Sequence, residues 1–245
     1  MTAFEIVAPR PHSRLLTLAA AQATADLLRA GGLAVLPTET GYLLAASAVS
    51  SAAARKAFAV KQRDLSNPMH VACASLEMAA RFGKLDGRAR RLLGELTPGP
   101  LSVVVPQAGD LDNPYVTRAG TIGLRVPDHP ATLQVIATLG GPVTATSLNR
   151  SGEESAPVDR QLLETFDWDG EPVVHAVIDP AAVRYEQAST LVRLTGPEPE
   201  VLRAGPVTAA EIARVLAGPP PGRPAVHPGP AVIPARSASA RRARC

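Results

Sequence analysis

The chain has 245 residues, 46% of them hydrophobic but only 3% aromatic, with a formal net charge of +3; this length can bury a full core in one large domain, with or without an appendage. Cys73 and Cys245 are too few for a disulfide framework, and there is neither a leader pattern nor a long apolar run, so a cytoplasmic protein without a membrane span is expected. Residues 218–245 hold five arginines (Arg223, Arg236, Arg241, Arg242 and Arg244) and no acid, which leaves residues 1–217 at −2 and excludes a diffuse basic face there; an anion site must be a local cluster.

In chain order, residues 4–7 predict a short strand and residues 15–30 a helix stopped by Gly31 and Gly32. Residues 33–36 read as a buried strand ended by Pro37, with residues 42–47 as its neighbour across the turn 38–41. An Ala-rich helix at 51–60 precedes a strand at 69–74, and two helices follow at 76–82 and 87–96. Thr97-Pro98-Gly99-Pro100 breaks the chain before a β-branched strand at 101–105, and residues 106–120 read as loop. Strands at 121–126, 142–147, 173–178 and 191–194 are interleaved with helices at 130–139, 158–166 and 208–217. The alternation predicts one α/β domain over residues 1–217, built on a mixed, twisted sheet. Residues 218–245, rich in Pro, Ala and Arg, are expected to be disordered.

Three pairs of polar residues carry the candidate chemistry. Lys61 and Arg63 lie between the Ala-rich helix and Asn67-Pro68, where the chain is expected to be extended, so that both partly exposed cations would face one anion. Thr38 and Thr40 follow a buried strand, and Ser147 and Asn149 end another, each at the same spacing of two. Strand ends on one edge of an α/β sheet can converge on a ligand, and cations, hydroxyls and a carboxamide suit phosphate, ribose and carboxylate oxygens. No P-loop, dinucleotide fingerprint, zinc-protease motif or C-x-x-C pair is present.

Eight segments occur in an order and spacing that resemble the YrdC-like family. They are Pro37-Thr38-Glu39-Thr40-Gly41-Tyr42, Lys61-Gln62-Arg63, Asn67-Pro68, Thr97-Pro98-Gly99-Pro100, the run 122–130, Thr146-Ser147-Leu148-Asn149-Arg150-Ser151-Gly152, Ser189-Thr190-Leu191-Val192 and Val201-Leu202-Arg203-Ala204-Gly205. The resemblance implies a twisted mixed sheet flanked by helices, with a large concave, cation-lined cavity. It also implies synthesis of threonylcarbamoyl-AMP and pyrophosphate from L-threonine, bicarbonate and ATP with Mg²⁺, for the N6-threonylcarbamoyladenosine modification of tRNA. By the same resemblance Lys61, Arg63, Ser147 and Asn149 hold the phosphates and substrate. Thr38, Tyr42, Asn67 and His70 belong to the binding site, and Thr121, Arg125, Ser189 and Arg203 close on the amino acid or nucleotide. For Arg125 and Arg203 the alternative is an ion pair beneath the sheet. Tyr42-Leu43-Leu44-Ala45 departs from a Gly-rich continuation, and residues 180–188 lack the usual glycines. Thr38-Glu39-Thr40-Gly41-Tyr42 and Thr146-Ser147-Leu148-Asn149 lean toward the YciO-like branch through Gly41, Leu43 and Leu148, with another carbamoyl or adenylate compound as substrate, whereas the intact Lys-x-Arg and Ser-x-Asn pairs are ones that branch tends to lose. A tRNA or double-stranded RNA binder drawing affinity from the arginine tail is a further alternative; tRNA or tRNA-modification proteins are the expected partners.

Overall fold

A computed structural model describes residues 2–109, 111–148 and 160–218. Among these are eleven strands and seven helices. The first half contains β1 (Ala3–Val7), α1 (Leu18–Arg29), β2 (Leu33–Thr38), β3 (Gly41–Ala45), α2 (Ser51–Val60), β4 (His70–Ala72), α3 (Leu76–Phe82) and α4 (Gly87–Leu96). The second contains β5 (Leu101–Pro106), β6 (Thr117–Arg118), β7 (Thr121–Arg125), α5 (Pro130–Leu139), β8 (Val143–Ser147), α6 (Arg160–Thr165), β9 (Val173–Val177), β10 (Thr190–Arg193), β11 (Glu200–Arg203) and α7 (Ala209–Ala217).

The strands form one mixed sheet in the order β1-β9-β2-β3-β8-β4-β7-β5-β10-β11, with β6 hairpinned onto β7. The predicted twisted α/β sheet is thus present, extended by β6 and by the edge strand β11, neither of which composition reveals. β6 is two residues long and β11 four, Glu-Val-Leu-Arg, too short for an alternating pattern to stand out.

Period-two alternation fills both sides of the sheet. Leu33 and Val35 of β2, with Leu44 of β3, join one apolar cluster with α2, α4 and α7; Ala34 and Leu36, with Leu43 and Ala45, join a second with α1 and α5. Local signals set the helix ends. Thr17, Ser50, Ser75 and Asp86 each accept the backbone N–H of the third residue on, and Thr208 and Glu211 form a reciprocal capping box. Because Thr17 caps α1, that helix begins at Leu18 and not at residue 15 as expected. Pro130 opens α5, and Gly140 closes it in the left-handed region at φ 76°.

The bulky run Leu43-Leu44 is accounted for here. Both side chains are buried, one in each cluster, so the departure from a Gly-rich continuation is absorbed by packing. No described helix is long and apolar enough to cross a membrane.

Candidate active site

The chain does not run extended through Lys61 and Arg63. Lys61 keeps helical angles as the C-cap of α2, and Gln62 turns left-handed at φ 48°. The N–H of Gln62 then reaches the Ala59 carbonyl and that of Arg63 the Phe58 carbonyl, closing a Schellman turn on a non-glycine residue. The sequence reading fails here because Asn67-Pro68 restricts only the residue next to the proline, so helix-end geometry persists five residues upstream. The expectation of partial exposure also fails for Lys61, which is 3% exposed. Arg63 is half-buried. Its Nε donates to the Asn67 carbonyl at 2.6 Å, its terminal nitrogens reach Asn67 Oδ1 at 2.8 Å and Thr146 Oγ1 at 3.3 Å, and the loop is thereby drawn against β8.

His70, Arg125 and Arg203 come from three strands, and Arg63 from the loop beside them. Ala72 pairs with Arg125, Arg125 with Ser102, Ser102 with Leu191, and Leu191 with Arg203, which makes one row from β4 to β11. His70 begins β4 and packs on Gly123 of β7, where any β-carbon would collide with its ring. Burial, reinforced by Arg203, Arg63 and Arg125, lowers its pKa from 6.5 to about 3, so the imidazole is neutral. Partial desolvation of their guanidinium groups lowers the pKa of Arg63 and of Arg203, with Arg203 adding to the first effect and Arg125 to the second. Three guanidinium groups close enough to affect one another or a shared imidazole form the local cation cluster that an anion site in a mildly acidic domain requires.

The three arginines are held differently. Arg203 donates from Nε to the Ser189 carbonyl at 3.0 Å and from a terminal nitrogen to Ser189 Oγ at 3.3 Å, while that hydroxyl lies 3.0 Å from Ser102 Oγ. Gly205 permits this, since a β-carbon there would run into the backbone around Ser189. Among the described residues neither Arg63 nor Arg203 is paired with a carboxylate. Arg125 takes the ion-pair alternative: its terminal nitrogen donates to Glu39 Oε1 at 2.7 Å, with both side chains buried. Thr40 Oγ1 accepts from the same nitrogen at 3.2 Å. Glu39 sits at the tip of the β2–β3 hairpin, a position that composition marks only as a turn.

The remaining expected residues divide into two groups. Ser147 ends β8, exposed and opposite Leu43. Thr38 supports the hairpin by donating to the Gly41 carbonyl at 2.7 Å, and Gly41 meets the turn's need for a positive φ of 122°. Tyr42 is buried, and its hydroxyl donates to the Asp179 carbonyl at 2.9 Å and accepts the Asp179 N–H at 3.2 Å. Burial raises its pKa. Thr121 shares a face of β7 with Gly123 and Arg125 but stands at the opposite end, donating to the Arg118 carbonyl. Asn149 lies outside the described residues.

The segment 180–188, noted in the sequence for its missing glycines, forms with Asp179 a strap along this edge whose anchor sequence reasoning did not identify. Asp179 fixes its start, taking hydrogen bonds from Arg14 Nε at 2.9 Å and pairing with His129 Nε2 at 3.0 Å. Burial lowers the pKa of His129 in spite of that partner, and the carboxyl of Asp179 is held below its usual value by Arg14 and His129 against the opposing effect of its own burial. Further along, Arg184 pairs with Asp128, and the N–H groups of Arg184 and Tyr185 donate to the Glu39 carbonyl at 2.8 and 3.0 Å.

Chemically, the arrangement offers fixed guanidinium donors around a neutral imidazole, which suits a polyanionic ligand rather than covalent catalysis. No group of three or more His, Cys, Asp or Glu among the described residues is placed to hold a metal ion.

The Sua5_yciO_yrdC family model, described as telomere recombination, matches residues 26–205. A Mycobacterium tuberculosis protein is 35% identical over 191 residues, covering 77% of this chain and 85% of that one. The threonylcarbamoyl-AMP synthase of Pyrococcus abyssi is 31% identical over 205 residues, 83% of this chain but 58% of the synthase. Among solved structures, P. abyssi Sua5 complexed with L-threonine superposes with a TM-score of 0.75 at 28% identity, over 88% of this chain and 61% of that one. The chain thus spans little more than half the length of these P. abyssi relatives.

Proposed function

We propose that this chain, which belongs to the Sua5_yciO_yrdC family, is an L-threonylcarbamoyladenylate synthase, an ATP-dependent nucleotidyltransferase serving the N6-threonylcarbamoyladenosine modification of tRNA. The observation that carries the reading is the convergence of Arg63, Arg125 and Arg203 on His70, within a fold shared with threonine-complexed Sua5.

The substrates are L-threonine, bicarbonate and ATP. The threonine amine and bicarbonate condense to a carbamate, with loss of water. A carbamate oxygen then forms a bond to the α-phosphorus as the bond from that phosphorus to the leaving pyrophosphate oxygen breaks. Little covalent help is needed: the reactants must be aligned, and the charge growing on pyrophosphate must be neutralised. Arg63 and Arg203, with Lys61 beside Arg63, supply that charge. Arg125, Ser189 and Thr40 bind and orient the remaining oxygens. The neutral ring of His70 adds a hydrogen-bonding surface without more positive charge. Ser147 and Asn149 complete the phosphate side by resemblance. Mg²⁺ carried with ATP would screen the charge on its phosphates.

Leu43 and Leu148, which suggested the YciO-like branch, are both buried in the core and leave the arginine cluster untouched. The tail arginines on which an RNA-binding reading rests lie outside the described residues.

The test is pyrophosphate release by purified protein supplied with ATP, bicarbonate and Mg²⁺, with and without L-threonine. Threonine-dependent release is expected, and its absence would falsify the reading.

A further inference from the structure

Glu39 is an odd occupant for a hairpin tip. Two-residue tips are ordinarily solvated, yet this side chain is fully buried and each oxygen has its own donor. Oε1 accepts from Arg125 at 2.7 Å, and Oε2 accepts the N–H of Asp128 at 2.8 Å. Held at two points, the carboxylate cannot swing, and it fixes the guanidinium that it neutralises. Its backbone carbonyl meanwhile receives the strap through Arg184 and Tyr185. Arg125 is 6% exposed in its side chain, and its Nε has no hydrogen-bond partner among the described residues. A buried N–H left in that state is costly, and an incoming acceptor would recover the loss.

We infer that Glu39 is a positioning residue that holds Arg125 as a neutralised, rigid donor for the carboxylate of the amino-acid substrate; the inference rests on the synthase reading. The division of labour is electrostatic. Arg63 and Arg203, without carboxylate partners among the described residues, retain net charge for a triphosphate. Arg125 adds little net charge beside Glu39, but its planar donors keep their direction, and direction matters most for a planar carboxylate. A buried ion pair of this kind is weak ground for a purely stabilising role, since hydrophobic replacements are often as stable.

The experiment is steady-state kinetics of threonine-dependent pyrophosphate release by Glu39→Gln and Glu39→Asp, with thermal unfolding of each. Glutamine keeps the shape but replaces one acceptor oxygen by a donor; aspartate keeps the charge but withdraws it by one methylene. Both variants are expected to raise the threonine KM about tenfold or more while the ATP KM stays within about twofold of wild type. A threonine KM within about twofold of wild type in a folded variant overturns the inference, as does an ATP KM that rises in parallel. Loss of folding in both variants also overturns it, because Glu39 would then be structural. Wild-type protein that shows no threonine-dependent release instead overturns the synthase reading, and this inference falls with it.

Discussion

The ring of His70 occupies the space that a side chain on Gly123 would need: a β-carbon there would stand 3.0 Å from Cγ and 3.2 Å from Nε2. One strand gives up its side chain so that its neighbour's imidazole can pack against it. Gly123→Ala is therefore expected to cost about 1–3 kcal/mol in urea unfolding and to lower turnover by displacing His70. Combining it with His70→Ala should restore most of the stability and none of the activity. A single Gly123→Ala variant as stable as its parent would show that the ring has room to move.

The neutrality of His70 sets a pH dependence. Its pKa is about 3 in the folded chain against 6.5 as its ordinary value, so the unfolded state takes up the proton first as pH falls. The associated stability is fully present above the unfolded value and is lost as pH drops below it. The loss by about pH 5 is on the order of 2 kcal/mol. His129 shifts in the same direction, whereas Asp64, Asp86 and Asp179, with lowered values, act only in more acid solution. Unfolding free energies of wild type and His70→Gln between about pH 7 and pH 5 should therefore diverge, with the variant falling less steeply. Parallel curves would contradict a neutral His70 in the folded state.

Arg63 has two separable duties, bracing residues 64–68 and supplying charge. Inorganic pyrophosphate should raise the melting temperature of wild type by mass action. Arg63→Ala should weaken pyrophosphate binding about tenfold to a hundredfold, the worth of a charge-assisted hydrogen bond. Arg203→Ala should do the same without freeing the 64–68 loop, which hydrogen exchange at Ser66 and Asn67 would report. Equal pyrophosphate affinity in all three proteins would remove both arginines from the phosphate site.

Gln62 carries strain that glycine would relieve, since a left-handed conformation costs an ordinary residue about 1–2 kcal/mol. After allowance for the greater freedom of an unfolded glycine, Gln62→Gly is expected to stabilise the fold by about 0.5 kcal/mol. A measured destabilisation would indicate that the glutamine side chain makes a compensating contact.

What could be read from the chain and what could not follow the range of the forces involved. The apolar run 33–36, the Gly140 stop and the Thr208–Glu211 box are local and announce themselves within a few residues, although β2 runs on through Pro37 to Thr38, paired with β3, where Pro37 was expected to end it. Lys61, Arg63, His70 and Arg203 were identifiable by residue type and motif order, but the geometry of the first two was not: whether a helix ends in an extended step or a Schellman turn depends on one dihedral at Gln62. Glu39 was hidden because its partners are Arg125 and Asp128, far along the chain, and nothing near a Thr-Glu-Thr-Gly turn indicates burial. The Asp179 junction was invisible for the same reason, drawing its ligands from Arg14, Tyr42 and His129.

That junction also separates two notions of a domain boundary. The stretch shared with the family begins at residue 26, inside α1, yet the side chain that clamps the strap is Arg14, and the strand that covers the edge of β9 is β1. A fragment trimmed to the homologous region would keep every arginine of the cluster and still lose the anchor of the segment lying across it. The family-model match and the folded unit are therefore offset at the N-terminal side, and expression limits for this protein are better drawn from its contacts than from that match.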